Sequence, residues 1–313
     1  MKKPLIVIAG ATATGKSALA VNIAKIVGGE IISADSMQIY KNMNVGTAKI
    51  TEEEMQGIRH YLIDVINPDD SFDALAFKEY SLEAMDKIYS NGHIPIICGG
   101  TGFYIQAVTR DIDFTSEEEN TKREEITRFY EDFGEDALFE RLKSVDFESA
   151  LIIPKQNIKR VIRAIEFYEI HHKKISEHNS EQKQKESPYN LAYFVLNRDR
   201  GKLYEAIDKR VDAMIENGLL EEVKNLISIY KPSSQSGLYN AIGYKEIIDY
   251  LNGEYDFEKA VYLIKQNSRH YAKRQVTFFK REKDAIFIDK DAMTFEEMTD
   301  YILGILREKK IYA

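Results

Sequence analysis

The sequence predicts an α/β fold, a parallel sheet flanked by helices and carrying a mostly helical insertion. Three observations predict it. Short β-branched runs alternate with helix-spaced segments through the first hundred residues. A glycine-rich turn joins the first such run to the first such helix. From about Thr115 the texture becomes charged and helical, and an apolar run resumes only at Leu191. Strands that alternate with helices pair in parallel, through right-handed crossovers.

The elements follow in order. Leu5-Ile6-Val7-Ile8-Ala9 is an unbroken apolar run, as a strand buried on both faces requires. Gly15 to Val27 has helical spacing, and Glu30 to Ser33 reads as a second strand. His60 to Val65 is read as a third strand. Ala74 to Ser90 is an amphipathic helix, and Ile94 to Cys98 is a buried strand ending at Gly99-Gly100. Ser116 to Phe133 reads as a charged helix, with shorter helical segments to about His172. Lys173 to Pro188 is polar and reads as an exposed connection. Leu191 to Leu196 returns to the sheet. Helical patterns follow at Gly201 to Glu216, Leu219 to Tyr230, Tyr244 to Leu251 and Phe257 to about Phe279. Ala285 to Ile288 is a last strand and Phe295 to Lys309 a last helix. The expected division is a core of residues 1–114 and 190–313 with a helical insertion at 115–189.

Bulk properties narrow the class. The 313 residues, 44% hydrophobic and 30% charged, are enough to bury a real core. One cysteine, Cys98, excludes an internal disulfide framework and fits a reducing compartment, so a cytoplasmic location is expected. Met1-Lys2-Lys3 opens with charge, but the apolar run behind it is short and leads into Gly10, so it reads as a strand and not a signal peptide. No stretch is long enough to span a bilayer. The net charge of −8 argues mildly against a nucleic-acid partner, but binding depends on local patches.

Gly10-Ala11-Thr12-Ala13-Thr14-Gly15-Lys16-Ser17 has a glycine, four residues, then Gly-Lys-Ser, between an expected strand and an expected helix. The glycines let the backbone turn N–H groups onto phosphate oxygens, and the helix start adds partial positive charge. Lys16 supplies a mobile cation, and Ser17 can ligate Mg²⁺. The core is therefore expected to be a phosphate-loop (P-loop) core. Kinases, nucleotide hydrolases and diphosphate-releasing transferases share such a loop. A hydrolase usually holds Mg²⁺ with an acid at the end of a later strand. Here Ile94 to Cys98 ends in Gly99-Gly100-Thr101-Gly102, which weakens that reading. Asp35 follows the second strand and should face the loop, because ligands bind at the carboxyl ends of such strands. Taken alone, Asp35 is as well explained as a turn cap, and Thr101 as a turn residue.

Basic clusters point toward RNA. Lys265, Arg269 and Lys273 lie four apart on one expected helix and share a face, which Arg274, Lys280 and Arg281 extend. Tyr271, Phe278 and Phe279 are interleaved. Lys159, Arg160 and Arg163 form a second cluster. Each alone is equally readable as a solvated helix face.

Ser33-Ala34-Asp35-Ser36-Met37-Gln38-Ile39-Tyr40-Lys41, Gly46-Thr47-Ala48-Lys49, Gly99 to Tyr104, Ala241 to Lys245 and Ala272 to Thr277 occur in order along nearly the whole chain. In these segments the sequence resembles the tRNA dimethylallyltransferase family, also called tRNA isopentenyltransferase. Two departures fall outside the catalytic set: Lys41-Asn42-Met43-Asn44 stands for a usual Lys-Gly-Met-Asp, and Phe278 or Phe279 for a usual tryptophan. No Cys/His zinc module follows, so the resemblance is to the bacterial type. It implies transfer of a dimethylallyl group from dimethylallyl diphosphate to N6 of the adenosine 3′ of the anticodon, with Mg²⁺ and with tRNA as partner. It implies Asp35 as general base, Thr101 at the reacting region, and Lys16 and Arg210 on the diphosphate. Asp35, Ser36, Met37, Gln38 and Thr101 are then the target-base contacts. Arg123, Lys159, Arg160, Val161, Ile162, Arg163, Asn240, Ala241, Ile242, Gly243, Tyr244, Lys245, Lys273 and Arg274 are further expected tRNA contacts. A monomer is expected. The alternatives are prenylation of free AMP, ADP or ATP, which needs no large insertion, a P-loop small-molecule kinase, and a non-catalytic RNA-binding protein.

Overall fold

The structure, a computed structural model, describes residues 2–114, 120–231 and 236–312. They fall into two compact units, Met1–Thr109 with Ser187–Ala313, and Arg110–Glu186. The first unit opens with β1 (Pro4–Gly10), α1 (Lys16–Val27), β2 (Gly29–Ala34), α2 (Glu52–Met55), β3 (His60–Tyr61), α3 (Ala74–Ser90), β4 (Ile94–Gly99) and α4 (Gly102–Thr109). The second holds α5 (Asn120–Val145), α6 (Phe147–Ile152), α7 (Ile158–His171) and α8 (Ile175–Gln184). The chain then returns with β5 (Asn190–Asn197), α9 (Arg200–Glu216), α10 (Leu219–Ile229), α11 (Gly237–Asn240), α12 (Tyr244–Leu251), α13 (Phe257–Phe279), β6 (Ala285–Asp289) and α14 (Phe295–Glu308).

The six strands form one sheet in the order β3-β2-β4-β1-β5-β6, and every pairing is parallel. β1 lies between β4 and β5 and is covered on both faces, which is why Leu5, Ile6, Val7 and Ile8 are all apolar and fully buried. On one face α1 presents Leu19, Ala20, Ile23, Ala24 and Val27, and α14 presents Met298, Ile302 and Leu306, to a shared core. Each fully buried Ile or Leu there contributes about 1.5–3 kcal/mol. Register places Ala9 and Ala34 both opposite Gly99, so the segments leaving β1, β2 and β4 emerge together at one sheet edge. That edge carries the phosphate loop, Asp35 and Thr101.

In the second unit, α5 and α7 pack Ile126, Leu138, Leu142, Val161, Ala164 and Ile165 into a core of their own. α5 changes direction at Gly134, whose φ of 78° and ψ of −177° are closed to residues with a Cβ. The expected start of this helix at Ser116 lies outside the described residues.

Two expectations need correction. β3 is two residues long and does not reach Val65, because Leu62 and Asp64 take left-handed φ values of 64° and 54° that end the ladder. Lys173 to Pro188, expected as an exposed connection, is largely exposed but not irregular, since Ile175–Gln184 is α8. That helix is docked by polar contacts that hydropathy does not register. The buried Asp146 carboxylate accepts from the Ser176 N–H at 3.0 Å and its hydroxyl at 2.7 Å, while His178 lies against the Phe167 ring. Burial would push the Asp146 carboxyl up, but donors from Ser149 and Ser176 outweigh it and hold it below the usual carboxylate range. Among the described residues, no helix is long and apolar enough to cross a membrane.

Candidate active site

The phosphate loop leaves β1 through positive φ values at Gly10 (154°), Ala13 (62°) and Gly15 (85°). The Thr14 hydroxyl donates to the Ala11 carbonyl at 2.8 Å and closes the turn. Gly15 caps α1 without a side-chain acceptor, so the first amides of the helix stay open to an anion. Gln275, reaching over from α13, ties the loop down. Its Oε1 accepts from the Thr12 N–H at 2.9 Å, and its Nε2 donates to the Gly100 carbonyl at 3.0 Å.

Two adjoining cavities open here. The smaller, about 50 Å³, is lined by Lys16, Ser17, Asp35, Gln38, Cys98 and Arg210, among others. The larger, about 230 Å³, shares Thr12, Lys16, Asp35 and Arg210, and continues over Ser36, Met37, Ile207, Ile242, Tyr271 and Arg274. Burial pushes the Lys16 ammonium below its ordinary pKa. Cys98 and Asp35 oppose the shift and Arg210 adds to it. Burial likewise lowers Arg210, against Asp35 and Glu54. Two desolvated cations thus share one nearby carboxylate, a field that favours a further anion. Burial pushes the Cys98 thiol up to about 11, so at neutral pH it is a protonated wall residue and not a nucleophile.

Asp35 fills both of its sequence readings. Its Oδ1 accepts from the Met37 N–H at 2.9 Å and, more loosely, from Gln38 at 3.4 Å, which makes it a turn cap. It also lines both cavities. Thr101, at the head of α4, accepts from the Ser36 N–H at 3.1 Å and so braces the Asp35 turn. The Tyr271 phenol lies near Thr101 and Ser36, and burial beside Asp35 keeps its proton on.

The remaining expected residues divide. Asn240, Ala241 and Ile242 line the larger cavity. The next three in the chain do not. The Gly243 N–H is held by Glu246 at 2.8 Å, Tyr244 is fully buried, and Lys245 pairs with Asp249 at 2.6 Å. Lys273 and Arg274 are exposed on α13. The basic face on that helix is partly neutralised, because Lys265 bridges to Asp212 and Arg269 to Asp208, both on α9. These two cations join helices. In the second unit Lys159 and Arg160 are exposed. Arg163 and Arg123 both pair with the buried Glu166, at 2.9 and 3.0 Å. Val161 is fully buried and Ile162 packs on the same core, so their side chains support α7.

Sequence reasoning missed Gln275 and Tyr271 as site residues. Both lie in quoted motif segments or among the interleaved aromatics, but their neighbours at Thr12, Gly100, Thr101 and Ser36 are far away in sequence.

Known proteins resemble this chain over nearly its whole length. The chain is 49% identical to a tRNA dimethylallyltransferase of Lachnoclostridium phytofermentans, over 99% of each chain. It is similar to the crystal structure of a full-length tRNA isopentenylpyrophosphate transferase from Bacillus halodurans, at 37% identity and a TM-score of 0.73, covering 99% of this chain and 98% of that one. A eukaryotic dimethylallyltransferase solved acting on tRNA matches at 28% identity and a TM-score of 0.84, over 98% of this chain and 79% of that one. The model of the IPP transferase family matches residues 38–282, which span the Asp35 turn's partner Gln38, Thr101, Arg210, Tyr271 and Gln275. The chain belongs to the IPP transferase family.

Proposed function

We propose that this protein is a tRNA dimethylallyltransferase. It transfers the dimethylallyl group of dimethylallyl diphosphate to N6 of the adenosine 3′ of the anticodon and releases diphosphate. The observation that carries the reading is the convergence of Asp35, Lys16 and Arg210 on one cavity of about 230 Å³, beside an open helix N-terminus.

The chemistry requires those parts. Adenine N6 is a weak nucleophile, because its lone pair is delocalised into the ring. The allylic carbon of the donor tolerates positive charge as its C–O bond breaks. The phosphate-loop amides, Lys16 and Arg210 hold the departing diphosphate by fixed electrostatics. The N6–C bond forms, and the N6 proton passes to the free oxygen of Asp35. Thr101 keeps that carboxylate's turn in place. The target base must leave its stack to reach the cavity, which Ser36, Met37 and Ile242 help to line.

Mg²⁺ suits the donor set. Among the described residues no group of three or more His, Cys, Asp or Glu is arranged to hold a metal by itself. A hard cation that keeps one or two protein oxygens and takes the rest from phosphate needs no such group. The Ser17 hydroxyl, on the smaller cavity, is the protein oxygen we assign to it. When bound, the ion neutralises charge on the leaving diphosphate. A monomer acting in the cytoplasm is part of the same proposal.

The test is direct. The protein is incubated with dimethylallyl diphosphate, Mg²⁺ and unmodified tRNA, and the nucleosides are analysed by mass. One isopentenylated adenosine per tRNA is expected, with none on free AMP. Product on AMP alone would transfer the assignment to a free-nucleotide enzyme, and labelled phosphate moving from ATP would transfer it to a kinase.

A further inference from the structure

Glu222, near the start of α10, lines neither cavity, yet its carboxylate binds the loop that forms one cavity wall. One oxygen accepts from the N–H groups of Asn44 and Val45, at 2.9 and 2.8 Å. The other accepts from the N–H of Gly46 at 3.0 Å and from the Tyr244 hydroxyl at 2.6 Å. Three consecutive amides turned toward one carboxylate form an anion nest within the protein itself. The wall is close-packed at that point, since a Cβ on Gly46 would overlap the Tyr244 ring.

The next residue is Thr47. Its hydroxyl donates back to the Met43 carbonyl at 2.7 Å, which tightens the turn. Its carbonyl accepts from an Arg210 guanidinium N–H at 2.9 Å. Gly46, Thr47 and Arg210 all line the larger cavity. A continuous chain of hydrogen bonds therefore runs from Glu222 through residues 44–47 to the guanidinium assigned to the diphosphate. Tyr244 links the same carboxylate to the start of α12, directly after the cavity residues Asn240 to Ile242.

We propose that Glu222 is a positioning residue for diphosphate binding: it sets the 44–47 loop, and the Thr47 carbonyl of that loop aims Arg210 into the cavity. This rests on the reading of the cavity as a diphosphate site. A glutamine at 222 has one accepting oxygen in place of two. It loses either the Asn44 and Val45 amides or the Gly46 amide and the Tyr244 hydroxyl. Arg210 then keeps its charge but loses its fixed direction, and pre-organised charge binds an anion better than mobile charge does.

The experiment measures inorganic diphosphate binding in Mg²⁺ by calorimetry for wild type, E222Q, R210A and the double variant. E222Q is expected to weaken binding about tenfold. The double variant is expected to be no weaker than R210A alone, because Glu222 acts through Arg210. Wild-type affinity in E222Q, or two losses that multiply, overturns the proposal. If E222Q does not fold, Y244F keeps the charge and the three amides and enters the same cycle, with a loss of about threefold and the same non-additivity expected. The measurement uses neither prenyl donor nor tRNA. Absence of prenylated nucleoside with wild type would count against the transfer reading alone, and absence of diphosphate binding by wild type would remove the site itself.

Discussion

The two oxygens of Asp35 have separate duties, and a substitution can separate them. Oδ1 caps the turn by accepting from Met37. Asparagine keeps an acceptor there but cannot take a proton at neutral pH. D35N is therefore expected to retain thermal stability and tRNA affinity while single-turnover transfer falls roughly 10²–10⁴-fold. Retained turnover would remove Asp35 from the proton path. Cys98 gives a second residue-level test, in stability. Its thiol is raised from the ordinary value of 9.0 to about 11 by burial. An acid raised on folding favours the folded state below its unfolded pKa, and that stability is lost as pH climbs through the folded pKa. Between pH 9 and 11 the wild type should lose about 2–3 kcal/mol that C98A does not lose, readable as a difference in urea midpoints. At this scale the sequence was legible where spacing carried the chemistry. Lys16 and Ser17 are fixed by the loop pattern, and Asp35 and Thr101 by strand ends. Gln275, Tyr271 and Glu222 act on partners up to 263 residues away, a distance no local pattern spans.

Elements were legible where burial was one-sided and regular. α3 and α13 have the bounds that their apolar spacing gives, and α9 starts one residue earlier, at Arg200. β1 could be read because a central strand needs apolar residues on both faces. α8 could not, since it is held by serine hydroxyls, a carboxylate and a ring contact instead of an apolar stripe. β3 was overread because Ile63 and Val65 look like strand residues, whereas the left-handed φ values beside them are a backbone property. The bend in α5 yields a prediction of the same kind. A Cβ at Gly134 meets no heavy atom within 4 Å, so G134A tests backbone conformation without crowding. At φ 78° and ψ −177° the cost should be about 1–3 kcal/mol, seen as lower thermal stability of the 110–186 unit. An unchanged melting temperature would mean that α5 straightens at no cost.

For the molecule as a whole, net charge was a poor guide and ion pairing a better one. Of the basic residues expected on RNA, Arg123 and Arg163 are committed to Glu166, while Lys159 and Arg160 are exposed. Replacing Lys159 and Arg160 with alanine should lower tRNA affinity at low salt and flatten the plot of log K against log salt by about 2, one unit per lost phosphate contact. R163A should chiefly lower stability, because it leaves a buried carboxylate short of a partner. Equal salt slopes in wild type and the K159A/R160A variant would make that surface a bystander. The parallel class of the sheet was legible from alternation, but its order was not, because many orders satisfy the same alternation. That order has a consequence for synthesis. β1 is the first strand to leave the ribosome, yet one of its two neighbours, β5, begins at Asn190. Once β4 has emerged, the nascent chain grows by about 90 more residues before β5 follows, roughly 5–20 s at ordinary translation speeds. Throughout that interval the most apolar strand of the protein offers one open hydrogen-bonding edge to any passing partner. The helical unit made in the meantime closes its own core from contacts within 110–186, so newly made protein should depend on chaperones at the bare β1 edge and not in the insertion.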